Sequence, residues 1–142
     1  MVIPVARVVG IGIQDFENII TNNYFYVDKT HFIKEWWERG DSVTLIACPR
    51  RFGKTLNLSM LECFFSNKYE NRRDLFEGLS VWREEKYREL QGTRPVISIS
   101  LANVKGTDFK NVRDAICQML TILYSKHDYL RHCDVLTQKD RD

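Results

Sequence analysis

The stretch that most restricts how this chain can fold is VTLIACPRRFGKTLNLSML, from Val43 to Leu61. Val43–Cys48 is a continuous apolar run bounded by Gly40-Asp41 and Pro49. Such a run reads as a strand buried on both faces, the kind found in parallel sheets. A short loop ending Gly53-Lys54-Thr55 follows, and then a helix is expected over Thr55–Ser66. Leu58, Leu61 and Phe65 fall on one stripe of that helix, with Met60 and Phe64 beside it. Strand, loop and helix in this order are the setting in which a Gly-Lys-Thr triplet acquires meaning. Gly53 lets the backbone approach an anion closely. The first N–H groups of the helix have no intrahelical acceptor, and they and the helix dipole favour negative charge. Lys54 would place an ammonium on the β- and γ-phosphates, and Thr55 would be a hydroxyl ligand to Mg²⁺. The full phosphate-loop pattern begins with a glycine that is missing here, because Cys48 stands in its place. The bland alternative is an ordinary strand-to-helix turn, with Lys54 and Thr55 simply exposed.

Helix and strand signals alternate along the rest of the chain, which points to an α/β architecture. Gln14–Thr21 sets Phe16, Ile19 and Ile20 at helical spacing, and Tyr24–Val27 is a brief aromatic and β-branched run. Asp28 or Thr30 can cap a following helix with Phe32, Ile33, Trp36 and Trp37 on one face, ending near Gly40. The charged stretch Asn67–Gln91 reads as short helices and loops anchored by Leu75, Phe76, Leu79 and Trp82, with Arg83–Glu89 as a solvated helix face. Pro95–Leu101 (PVISISL) is a second strand candidate. Thr107 or Asp108 opens a long helix bearing Phe109, Val112, Ile116, Leu120 and Leu123, and a polar, weakly ordered tail is expected from His127.

Composition narrows the function classes. The 142 residues carry Lys+Arg 21 against Asp+Glu 19, a net charge of +2. A nucleic-acid partner is not demanded by that balance, and no apolar run approaches the ~20 residues that span a bilayer. The N-terminal MVIPVARVVGIGIQDF has Arg7 inside its apolar stretch and does not read as a signal peptide. Cys48, Cys63, Cys117 and Cys133 form no CxxC pair and read as free thiols in a reducing cytoplasm. His127, His132 and Cys133 cluster near the end, but their spacing fits no standard zinc pattern.

PRRFGKTLNLSML, the earlier GIQDFENIITNNYFYVDKTHFIKE, and the later LFEGL and RPVISISL resemble the AAA-ATPase-like family. The resemblance covers about Gly10 to Leu123, and YVDKT and PRRFGKT are its most specific strings. It implies the N-terminal part of a P-loop NTPase domain, a three-layer α/β/α fold, preceded by a helical segment. On that reading residues 1–41 are the helical segment, 42–126 the P-loop α/β core and 127–142 the polar tail. Many members continue into a domain resembling PD-(D/E)XK nucleases. The family itself usually lacks the first loop glycine, and it commonly has Arg where Cys48 stands. The resemblance implies ATP or ADP with Mg²⁺ as ligands. Pro49, Arg50, Arg51, Phe52, Gly53, Lys54, Thr55 and Leu56 are then the phosphate-side candidates, with Thr55 as the metal ligand through the nucleotide. Tyr26 or Val27 is a candidate adenine-side wall, with Asp28 as a polar reader; the alternative is a strand end and helix cap. Arg50 and Arg51 either touch nucleotide, act on a neighbouring subunit, or form a solvated loop pair. Trp36 and Trp37 fit core packing better than a base-stacking platform.

The family's acidic strand, with a DEYD-like ending, has no counterpart before Asp142, and Asp108 reads as a helix cap. Nucleotide binding with deficient hydrolysis by this chain alone is therefore expected. Two parallel strands, Val43–Cys48 and Pro95–Leu101, joined through the Thr55–Ser66 helix, would leave an open sheet edge and favour self-association. Two other classes compete: a non-catalytic interaction module with a vestigial loop, and a nucleic-acid-processing protein by family association alone. The near-neutral charge argues against the latter.

Overall fold

A computed structural model describes residues 7–129. The chain divides into two compact units, one reaching Val96 and one starting at Ile97. Among the described residues the first unit holds four α-helices: α1 (Phe16–Thr21), α2 (His31–Arg39), α3 (Lys54–Phe65) and α4 (Glu85–Leu90). Three short 3-10 turns, Asn67–Tyr69, Arg73–Phe76 and Ser80–Arg83, lie between α3 and α4. The second unit is built on α5 (Phe109–Lys126).

Local sequence explains where these helices start and stop. Asp15 caps α1, accepting from the N–H groups of Glu17 and Asn18. Asp108 does the same for α5 through the Asn111 N–H at 2.8 Å. Gly40 ends α2 with φ 63°, a left-handed value that glycine adopts without a Cβ penalty. Inside the first unit the core gathers Phe16, Ile33, Met60, Cys63, Phe64, Phe65, Leu75, Phe76, Val81 and Tyr87. Its centre is aromatic: Phe76 stacks on Phe16 at 5.2 Å and meets Phe64 edge-on at 5.1 Å. α1 packs along α3, and the Phe16 N–H donates to Ser59 Oγ at 3.0 Å.

The turn before α2 is tied to distant chain by one carboxylate. Asp28 accepts from the Thr30 N–H and hydroxyl through Oδ1 and from the Ser80 N–H through Oδ2. The buried Thr30 hydroxyl also accepts from the Val81 N–H at 3.1 Å. Burial pushes the Asp28 carboxyl up, but the hydrogen bonds from Thr30 and Ser80 outweigh it and hold the group below the usual carboxylate range.

The expected three-layer α/β/α sheet is not present among the described residues. Among the described residues there is no strand, and the single β-type pairing is an isolated parallel bridge between Ser66 and Arg94. Val43 and Leu45, expected inside a sheet, are 87% and 88% exposed. Ile97, Ile99 and Leu101 of the second strand candidate are exposed as well. A strand buried on both faces exists only where neighbours supply hydrogen-bond partners and cover. No backbone-to-backbone hydrogen bond joins 43–48 to any other described segment. The α3 crossover does not link two parallel strands either. Instead the N–H groups of Gly92 and Arg94 donate to Phe64 and Phe65 carbonyls at 2.8 and 2.9 Å, holding 92–94 at the C-terminal end of α3.

Smaller corrections follow from the same core. α3 buries Met60, Cys63 and Phe64, the i, i+3, i+4 face, whereas Leu58 of the expected stripe is exposed. The Arg83–Glu89 stretch is solvated except at Tyr87, whose ring is buried. α5 carries its apolar residues at helical spacing, yet none of its residues is buried. No described helix is long and apolar enough to cross a membrane. The tail from residue 130 onward lies outside the described residues.

Candidate functional site

The N-terminus of α3 differs from those of α1 and α5. Its cap residue is Gly53, with φ 82°, and no side chain accepts from its first turn. No acidic residue occupies that turn. The first backbone bond of α3 is Asn57 N–H to the Gly53 carbonyl at 2.8 Å. The N–H groups ahead of Asn57 thus have no internal acceptor, which is the general condition of a helix start. Proteins commonly fill that need with Asp, Asn, Ser or Thr. Here the neighbouring side chains are cations instead.

Lys54 folds back along the loop, and its Nζ donates to the Cys48 carbonyl. That bond closes the segment between Cys48 and α3. Arg51 has φ 69°, a left-handed value that is strained for a side chain of this size. Lys29 reaches the loop from the turn before α2, its Nζ donating to the Phe52 carbonyl at 3.4 Å. Lys29, Arg50, Arg51 and Lys54 take part in no ion pair among the described residues. Asp28, adjacent to Lys29 in the chain, has its oxygens turned to Thr30 and Ser80.

The residues singled out from the sequence are distributed as follows. Pro49, Arg50, Arg51, Phe52 and Thr55 are exposed at the loop, while Gly53 and Lys54 are half-buried. Leu56 is half-buried and packs on the core. Tyr26 is also half-buried, its ring edge-on to Phe16 at 5.4 Å and its hydroxyl on Met60 Sδ at 3.3 Å. Burial pushes that hydroxyl up to about 12. Met60 lies six residues beyond Lys54 on α3, about 9 Å of helical rise. Tyr26 is therefore fixed to the body of α3 rather than hydrogen-bonded to the loop. Thr30 and Asp28 form the Ser80 link described above. Trp36 packs against the core, and Trp37 stacks on Phe65 at 5.5 Å with its other surroundings partly open. Asp108 has both oxygens on Asn111.

Lys29 was not among the expected site residues. Its signal was positional: it stands between Asp28 and Thr30, whose hydrogen bonds fix the turn that presents it. No group of three His, Cys, Asp or Glu capable of holding a metal occurs among the described residues, and His132 and Cys133 lie outside them. Cys48, Cys63 and Cys117 are free.

Comparison with known proteins adds a family. The model of the AAA-ATPase-like family, described as predicted AAA-ATPase, matches residues 10–140. A protein of Azotobacter chroococcum mcd 1, designated "Uncharacterized protein in vnfD 5'region", is 37% identical over 114 residues. The match covers 79% of this chain and 20% of that protein, so the chain spans about a fifth of the length of this relative. No solved structure matches.

Proposed function

The chain belongs to the AAA-ATPase-like family, and from that premise we propose that Pro49–Thr55 binds the phosphates of ATP or ADP together with Mg²⁺. The supporting observation is the start of α3: an uncapped, acid-free helix N-terminus beside Lys54, Arg50 and Arg51. Cations near the positive end of a helix dipole are unfavourable in the free protein. A polyphosphate reverses the sign of that interaction and supplies acceptors for the open N–H groups. Lys54 is the phosphate cation, because exchanging the neutral Cys48 carbonyl for an anionic oxygen strengthens its hydrogen bond. Thr55, exposed on the first turn of α3, offers the hydroxyl for Mg²⁺. The metal would neutralise phosphate charge.

Calorimetric titration of Mg·ATP and Mg·ADP tests this. Wild type binds, and Lys54→Ala loses roughly 1.5–3 kcal/mol, the range of a hydrogen bond to a charged group. That is about 10- to 150-fold in affinity. Phosphate release by the chain alone stays at background, since Asp28 and Asp108 are committed to Thr30, Ser80 and Asn111. Equal binding by both proteins, or none by a folded wild type, would leave a protein-interaction module as the better reading.

That second reading has its own observation, the exposure of Val43 and Leu45. We propose that this apolar run associates with a second copy of the chain. Light scattering across a concentration series is then expected to show dimers that Leu45→Lys removes. A wild type that remains monomeric at high concentration excludes it.

A further inference from the structure

We propose that Lys29 is a second phosphate-contacting cation of the loop, supplied by the turn before α2. The inference rests on the nucleotide-binding reading above and adds a residue to it. Three observations carry it. First, Lys29 Nζ reaches the loop at the Phe52 carbonyl, 3.4 Å away. A Cβ built on Gly53 would lie 3.6 Å from the same nitrogen, which places the ammonium beside the glycine that begins α3. Second, the bond to Phe52 is at the long end for N–H···O and its acceptor is neutral. An anionic oxygen at the start of α3 is a stronger acceptor, so the ammonium moves to it at little cost. No carboxylate among the described residues pairs with Lys29 and competes.

Third, the backbone that presents Lys29 is fixed on both sides. Asp28 binds the Ser80 N–H, and the buried Thr30 hydroxyl binds Asp28 and the Val81 N–H. Only the lysine side chain is free to move, while its Cα stays put. Lys54 and Lys29 thus stand in similar states, each donating to a carbonyl of the loop, Cys48 for one and Phe52 for the other. Both ammoniums exchange a peptide oxygen for a phosphate oxygen when nucleotide arrives.

The test is calorimetry and thermal melting on the full chain with Mg·ATP and with inorganic tripolyphosphate. The proteins compared are wild type, Lys29→Met, Lys29→Arg and Lys54→Ala. Lys29→Met is expected to weaken both ligands about tenfold and to melt, without ligand, at the wild-type temperature. Lys29→Arg restores most of the affinity, since it keeps the charge and the reach. Wild-type affinity in Lys29→Met beside a loss in Lys54→Ala overturns the role of Lys29 and leaves the loop reading intact. Equal losses in Lys29→Met and Lys29→Arg with a lowered melting temperature would mark a merely structural lysine and also overturn it. Absence of binding by wild type overturns both proposals together.

Discussion

Phe76→Ala lowers the stability of the 7–96 unit by about 3–5 kcal/mol, the range for removing a buried aromatic ring. The residue is fully buried. Its ring stacks on Phe16 at 5.2 Å, meets Phe64 edge-on at 5.1 Å and lies over Trp82 at 6.2 Å. α1, α3 and the Ser80–Arg83 turn therefore all lose a partner at once. Domains of this size have only about 5–15 kcal/mol in total. The variant is consequently expected to be partly unfolded at physiological temperature. Urea denaturation measures it: the midpoint falls with little change in slope. A loss below about 1 kcal/mol would mean that the aromatic cluster does not hold the unit together. Phe76 lies away from the loop, so the nucleotide binding proposed above should fall only by the fraction unfolded, and be regained when ligand is raised.

Gly92→Ala is expected to be nearly as damaging, although it adds one methyl group. Gly92 has φ 71°, and its N–H donates to the Phe64 carbonyl at 2.8 Å. A Cβ there would lie 2.5 Å from Glu70 Cα and 3.0 Å from Glu70 N, both backbone atoms. Left-handed backbone costs a side chain roughly 1–2 kcal/mol. Forcing two backbones apart adds roughly 1–3 kcal/mol of overpacking. Gly78 separates the two effects, because it has φ 80° with nothing within 4 Å of an added Cβ. Gly78→Ala should show the conformational cost alone. Equal midpoints for the two variants would disprove the close approach at Glu70.

Helices were legible in the sequence because their signals are local. Asp15 and Asp108 cap in place, Gly40 stops α2, and Ile33 and Phe64 follow helical spacing. The apolar anchors Leu75, Phe76, Leu79 and Trp82 were legible for the same reason, as apolar residues in a charged stretch. The sheet was misread because VTLIAC carries only half of the information a strand needs. Apolar composition says that Val43 and Leu45 are suited to burial; it does not supply the neighbours that bury them. Tyr87 was hidden among charged residues, where one ring in REEKYRE gives no period to detect. At the candidate site the motif residues were readable from Gly53-Lys54-Thr55. Lys29 was not, since its meeting with Phe52 depends on a turn set by Ser80, far along the chain.

Cys63 gives the molecule a chemical witness to its own integrity. It is 1% exposed, and burial pushes its thiol up to about 12, so in the folded chain it is shielded from both reagent and deprotonation. Among the cysteines of the described residues, electrophiles and oxidants meet Cys117 on the surface and Cys48 beside Pro49 before Cys63. Alkylation of Cys63 consequently proceeds only through opening of the aromatic core, and its rate counts unfolding events rather than surface encounters.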